Sequence, residues 1–128
     1  MNSVSVACLG LLTSFTFIVS LSAQSAQEAA RYFSAGRYED ALEVYRQLAL
    51  ANPEDARLTY NAGVAAYKAG QFTEAMEQFE SASLAPDLRV QQQAHYNIGN
   101  TLFRAGESAP DFEQKAAAWK QAVQRYQH

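Results

Sequence analysis

The sequence predicts an all-α protein, a short right-handed solenoid of about three antiparallel helix pairs. The first observation is an internal repeat: AGRYEDALEVY at residues 35–45 returns as AGQFTEAMEQF at residues 69–79, displaced by 34 residues. The second is a third, less regular copy, because YNAG at 60–63 returns as YNIG at 96–99, displaced by 36 residues. A period of this length is typical of solenoids that stack helix–turn–helix units.

Length and charge restrict the possible classes of protein. The chain has 128 residues and a formal net charge of −3, from 10 basic and 13 acidic side chains. This length is sufficient for one domain with a hydrophobic core. Because the two signs of charge are interspersed, no basic stripe is present to attract a phosphate backbone, and we expect no nucleic-acid partner.

The N-terminal segment differs from the rest of the chain. It carries no Asp, Glu, Lys or Arg before Glu28, residues 4–21 are mostly apolar, and small residues follow at 22–26. This order is typical of a secretory signal peptide. We expect residues 1–23 to be a signal peptide, or an N-terminal membrane anchor acting through residues 4–21, with a buried structural helix as a further alternative. The protein would then be exported, and either periplasmic or anchored to the inner membrane facing the periplasm.

The position of the single cysteine restricts the chemistry of the mature chain. Cys8 lies inside the apolar segment. If residues 1–23 were removed, the remaining domain at 24–128 would contain no cysteine. Disulfide scaffolds and thiol chemistry would then be excluded.

Each copy of the repeat predicts two short helices separated by a glycine. The glycines are Gly36, Gly70 and Gly106, and the segments on either side carry apolar residues at helical spacing. Gly36 is expected to adopt the left-handed conformation that ends the first helix and permits a tight turn. The second helix of the first pair then carries its apolar residues at 41, 42, 45 and 48.

Caps and breakers predict where the helices begin. Asn52 is expected to cap the second pair, with Pro53 in its first turn, and Pro86-Asp87 repeats this start signal. The insertion at 107–111, ESAPD, delays the aromatic residue expected after the third glycine. Ser108 and Asp111 are spaced as a capping box, which predicts a helix from about Pro110 to the C-terminus. In that helix Phe112, Trp119 and Ala122 are expected to resume the second-helix pattern.

These positions resemble the tetratricopeptide-repeat (TPR) family, with repeats at about 22–55, 56–91 and 92–128. The matching residues are Tyr32, Gly36, Tyr38, Ala41, Tyr45 and Pro53 in the first repeat, Gly63, Gly70, Phe72, Ala75, Phe79 and Ala82 in the second, and Gly99, Leu102 and Gly106 in the third. The resemblance implies a protein-binding solenoid. A narrower segment, AHYNIGNTLFRAG at 94–106, is similar to the third repeat of exported bacterial TPR proteins of the Bat aerotolerance operon type.

The first helix of each pair is expected to line a concave groove. Asparagine is unfavourable inside helices, yet three asparagines stand mid-helix here. They could hydrogen-bond the backbone of an extended peptide, while tyrosine and phenylalanine supply apolar contact and the basic residues receive carboxylates. Alternatively, they bond neighbouring helices or face water. The predicted groove residues are Tyr60, Asn61, Lys68, Tyr96, Asn97, Asn100, Phe103 and Arg104.

The sequence gives no support for catalysis. His95 and His128 are far apart in sequence, and neither has the spacing of metal ligands or of a nucleophile with its base. We therefore expect a non-enzymatic module without a metal or cofactor that binds a protein or peptide partner in a bacterial cell-envelope assembly. Two alternatives remain open. The chain could be a scaffold that self-associates through its last helix, or the N-terminal part of a longer protein with a separate effector domain.

Overall fold

The computed structural model describes residues 26–127, which form six helices and no strand. Their bounds are residues 26–34 for α1, Tyr38–Ala51 for α2, Ala56–Lys68 for α3, Phe72–Ala82 for α4, Leu88–Glu107 for α5 and Phe112–Tyr126 for α6. From α2 to α6 each helix packs on the next, and α3 also contacts α5. The first pair is joined by Phe33 of α1, whose ring centroid lies 5.2 Å from that of Tyr38 in α2. The prediction of an all-α solenoid is confirmed. The expected signal peptide or anchor at 1–23 lies outside the described residues.

Two glycines reverse the chain within the first two pairs. Gly36 and Gly70 have φ angles of +74° and +76°, a region that L side chains rarely adopt. The amide after each glycine closes the end of the preceding helix: Arg37 N–H donates to the Tyr32 carbonyl at 2.9 Å, and the amide of residue 71 donates to the carbonyl of residue 66 at 2.9 Å. This is the hydrogen bonding of a Schellman motif, and it confirms the predicted role of Gly36.

The start of the second pair lies later than predicted. Asn52 is the C-cap of α2, and its Nδ2 donates to the Leu48 carbonyl at 3.0 Å. The N-cap of α3 is Asp55, which accepts a hydrogen bond from the Arg57 amide at 3.2 Å. The prediction that Asn52 caps α3 was wrong because Pro53 and Glu54 form the turn between the helices. By contrast, the start signal predicted at Pro86-Asp87 coincides with the start of α5, whose N-cap is Asp87.

The third pair corrects two predictions. Gly106 lies inside α5 instead of ending it, and a Cβ atom added there would be 2.9 Å from the Cβ of Ala118. Its role is therefore close approach to α6. Ser108 is the C-cap of α5, whereas Asp111 caps α6 by accepting a hydrogen bond from the Gln114 amide at 2.8 Å. The predicted capping box was wrong because α5 still occupies the chain up to Glu107.

The core is built from small residues and a few large ones. Its main cluster of buried residues is mostly alanine, with Phe79 only 1% exposed among them. The ring of Phe79 lies against Gly63, where an added Cβ would be 2.8 Å from the Phe79 Cδ1 atom. This contact fixes the close spacing of α3 and α4. None of the helices in residues 26–127 combines the length and hydrophobicity needed to cross a membrane.

The third pair repeats the contacts of the second. Tyr60 packs on Phe79 with ring centroids 5.7 Å apart, and Tyr96 packs on Tyr126 at 5.5 Å. An added Cβ at Gly99 would likewise be 2.6 Å from the Cε1 atom of Tyr126. Tyr126 therefore occupies in α6 the place of Phe79 in α4.

The equivalence of α6 and α4 also identifies the counterpart of Phe72. Tyr67 packs on Phe72 at 5.9 Å, and Phe103 stacks on Trp119 at 5.8 Å. Trp119 is thus the counterpart of Phe72, seven residues before Tyr126 as Phe72 is seven before Phe79. Phe112 was predicted to belong to this pattern, but it lies two turns earlier and is 77% exposed.

Candidate functional site

The predicted groove residues lie on α3 and α5, and we call these eight residues the α3/α5 face. Lys68, Tyr96, Phe103 and Arg104 are exposed. Tyr60 and the three asparagines are partly buried. The face therefore combines exposed aromatic surface and positive charge with amides that are only partly open to water.

A hydrogen-bonded network joins three of its side chains, those of Tyr60, Asn97 and Asn100, to α6. Asn97 Nδ2 donates to Tyr60 Oη at 2.8 Å and to the Gln93 carbonyl at 3.1 Å. Asn100 Nδ2 donates to Asn97 Oδ1 at 3.3 Å, and Tyr126 Oη donates to Asn100 Oδ1 at 2.6 Å. Asn97 and Asn100 thus bond neighbouring helices, which is the alternative that the sequence left open for the asparagines.

Asn61 differs from its counterpart in the next repeat. It lies 36 residues before Asn97 and is partly buried, but its side chain forms no hydrogen bond with another residue in the range 26–127. A carboxamide has two N–H donors and a carbonyl acceptor, a set that matches the backbone of an extended peptide. Asn61 is therefore the asparagine of the face best placed to accept a ligand.

The two cations of the face occupy equivalent ends of α3 and α5. Lys68 and Arg104 both lie in the last turns of these helices. Arg104 Nη1 is 2.9 Å from Glu107 Oε2, and both side chains are about half exposed. A surface ion pair of this kind contributes about 0–1 kcal/mol, so a carboxylate of a ligand could compete for Arg104.

Charge is distributed unevenly between the helices of the second pair. α3 contains Arg57 and Lys68 and no acidic residue, whereas α4 contains three glutamates and no basic residue. Arg57 holds Asp55 through a hydrogen bond of 2.9 Å, and this bond lowers the pKa of the Asp55 carboxyl below its ordinary value. The eight residues of the α3/α5 face include no carboxylate.

No arrangement typical of a catalytic centre was found in the part of the chain that the structure describes. It contains no group of three or more His, Cys, Asp or Glu side chains able to hold a metal ion. His95 Nδ1 is buried and has no hydrogen-bond partner there. A single imidazole without a nucleophile or a neighbouring carboxylate does not form a catalytic site.

The sequence interpretation missed the contribution of α6 to this face. Tyr126 closes the asparagine network, and Trp119 covers one side of Phe103. The signal was present in the spacing of Trp119, Ala122 and Tyr126, which repeats that of Phe72, Ala75 and Phe79. The eleven additional residues between Gly106 and this third copy concealed it.

Comparison with known families agrees with the architecture. A family model described as tetratricopeptide repeat matches residues 26–89, which is half of the 128-residue chain. The chain belongs to the tetratricopeptide repeat family. No curated protein matches it.

Family membership defines the general class of this protein. Domains of this family mediate protein–protein interactions and are typically non-catalytic, so the chain is a protein–protein interaction module. The match spans α1 to α4 and reaches the start of α5. Residues 94–106 lie beyond it, and their narrower resemblance to exported proteins of the Bat type stays a prediction.

Proposed function

We propose that this chain is a non-enzymatic module of a bacterial cell-envelope assembly that holds a peptide segment or partner domain in a concave groove formed by the α3/α5 face. The observation that carries the proposal is the composition of that face. It offers exposed rings at Tyr96 and Phe103, exposed cations at Lys68 and Arg104, and the amide of Asn61. Extended peptides are held by this combination of apolar contact, backbone hydrogen bonds and charge pairing.

The location in the envelope rests on the sequence of residues 1–23. We propose that this segment directs export and is either cleaved or retained as an anchor, because an uncharged apolar stretch leads into small residues. Cell fractionation of the expressed chain tests whether it is exported. Mass spectrometry of the purified chain tests whether the N-terminal segment has been cleaved. A chain found in the cytoplasm with an intact N-terminus would contradict the proposed export.

The groove is tested by capture from envelope extract with the full chain. We expect a partner bound by the wild type to be lost by the double variant Asn61→Ala, Lys68→Ala. Asn97→Ala is unsuitable because it would remove hydrogen bonds between α3 and α5. The matched control is Gln47→Ala, Glu77→Ala, which alters two exposed polar residues of α2 and α4.

Circular dichroism first establishes that both double variants are as helical as the wild type. The captured partner is then titrated against each purified chain. Loss of binding in the α3/α5 variant alone supports groove recognition. Equal affinity for wild type and that variant would contradict it and direct attention to α6.

A further inference from the structure

We infer that two copies of this chain associate through α6, with the two α6 helices antiparallel across a two-fold axis. This interaction goes beyond the proposed groove: its contact stripe lies on α6, beside the groove residues Tyr96 and Phe103. It begins from exposed large apolar side chains of the last helix pair, among them Tyr96, Phe103, Phe112, Val123 and Tyr126. Aromatic contacts at 5.5 and 5.8 Å connect the α5 members of this set to Tyr126 and Trp119 of α6.

The preceding pair shows how such positions are normally covered. Phe79 is 1% exposed, whereas its counterpart Tyr126 is 43% exposed. Met76 packs with Leu102 of α5 against the core, whereas its counterpart Val123 is 55% exposed. These α4 residues are covered because α5 packs on α4. In the described chain no further helix covers the same side of α6.

The exposed side of α6 has the pattern of a helix interface. Phe112, Ala116 and Val123 recur at spacings of four and seven residues, so they lie along one stripe, and all three are exposed. Small Ala116 lies at the middle of the stripe, where two helices could approach closely. α6 has 15 residues and α4 has 11, so about one additional turn lengthens the contact surface.

A two-fold rotation would bring the charges flanking this stripe opposite charges of the other sign on a second copy. Glu113 and Lys120 are both exposed, and neither forms an ion pair within residues 26–127. The point midway between them is also midway between Ala116 and Ala117. With that point on the axis, Glu113 of each copy faces Lys120 of the other, and Phe112 lies about 3 Å along the helix from the position opposite Val123 of the other copy.

The two-fold arrangement covers the apolar stripe of both copies at once. An isologous contact uses the same patch on each copy and closes, whereas head-to-tail stacking of solenoid ends would leave an open polymer. The charge pattern supports the closed form because it pairs α6 with α6 and needs no second surface. The occupant of the apolar stripe is therefore a second copy of this chain.

Charge reversal tests the pairing directly. The full chain, carrying Cys8→Ser, is studied by sedimentation equilibrium in the same detergent for all variants. We expect the single variants Glu113→Lys and Lys120→Glu each to raise the dimer Kd about tenfold, because each places two like-charged pairs across the axis. The double variant exchanges the charges and is expected to restore the wild-type Kd. Leu84→Glu, at a leucine 84% exposed outside the stripe, is the control that leaves the Kd unchanged.

A cross-link tests the position of the axis. In the Cys8→Ser chain, Ala116→Cys is expected to form an intermolecular disulfide on mild oxidation, because residues beside the axis lie close to their own copies. Leu84→Cys is the control and is expected to remain reduced. A chain that is monomeric at all concentrations would overturn the inference, as would a double charge variant that fails to restore the dimer. Growth beyond the dimer with concentration would instead show head-to-tail stacking.

Discussion

Glycine determines how closely the helices of the second and third pairs approach. At Gly63 and Gly99 the ring of an aromatic residue on the partner helix fills the space of a side chain. Gly36 and Gly70 act differently, since nothing lies within 4 Å of an added Cβ and only their positive φ angles require glycine. The same residue type therefore serves packing at one position and backbone geometry at another.

Alanine substitution should separate these roles. We expect Gly63→Ala to lower the free energy of unfolding by about 1–3 kcal/mol, because buried Phe79 cannot move away from the new methyl group. Gly99→Ala should cost less, since Tyr126 is partly exposed and can rotate toward water. Urea denaturation of both variants measures the difference, and equal costs would contradict this account of the packing.

Two partly buried tyrosines should make stability depend on alkaline pH. Burial raises the pKa values of Tyr60 and Tyr126 above the ordinary value of about 10. Their contribution to stability is therefore present below the unfolded pKa and is lost as pH rises through the folded pKa. We expect Tyr126→Phe to reduce the decline in stability above about pH 10. Denaturation of wild type and variant at about pH 8 and pH 11 provides the comparison, with the variant also losing the hydrogen bond to Asn100 at both values.

At the scale of elements, carboxylates start three of the helices. Asp55, Asp87 and Asp111 each accept a hydrogen bond from an amide in the first turn of α3, α5 and α6. A negative side chain at this position also interacts favourably with the positive end of the helix dipole. The caps, more than the prolines near them, therefore set where these helices begin.

This assignment predicts different effects of two neighbouring substitutions. Asp111→Ala should destabilise the protein by about 0.5–2 kcal/mol because it removes the cap of α6. Ser108→Ala should have a small effect, since Ser108 ends α5 and its hydroxyl contacts the Arg104 carbonyl only at 3.5 Å. Thermal and urea unfolding distinguish them. A larger loss at Ser108 would restore the capping box that the sequence suggested.

At the scale of the whole molecule, α6 is the least supported of the later helices. It packs extensively on α5, but it meets α4 across a crevice of about 350 Å³ lined by Met76, Glu80, Leu102, Gln121, Gln124 and Arg125. The ion pair across this crevice, between Arg125 and Glu80, measures 4.0 Å and is exposed. Within residues 26–127 α6 packs extensively on α5 only, so it has fewer supporting contacts than α3 or α4 and is expected to open more easily.

Hydrogen exchange should reveal this gradient of stability. We expect the amides of α6 to exchange faster than those of α3 and α4, because local opening of the terminal helix exposes less apolar surface than opening of the centre. The proposed dimer would slow exchange in α6, and Glu113→Lys should reverse that protection without changing α3. Uniform exchange across the helices would contradict the gradient.

The repeat by itself determined the class of fold and the internal geometry of the first two pairs. The 34-residue displacement placed glycines at 36 and 70, aromatics at 38 and 72, and alanines at 41 and 75. In the structure these glycines have positive φ angles, the aromatics pack on rings of the preceding helix, and the alanines are buried. These features follow from local rules, because a left-handed glycine and a helical apolar stripe act over a few residues. The predicted eight-residue face also lies on α3 and α5, as its register required.

Only the tertiary structure decided the third pair and the partners of the polar residues. Gly106 looked like a turn glycine, but the extension of α5 made it a contact for α6; the same extension moved the start of α6 to Phe112. From the sequence, Asn97 and Asn100 could bind a ligand or bond neighbouring helices. In the structure they form hydrogen bonds with the hydroxyls of Tyr60 and Tyr126. A local pattern specifies how a helix is formed, whereas hydrogen bonds between helices far apart in sequence depend on how those helices stack.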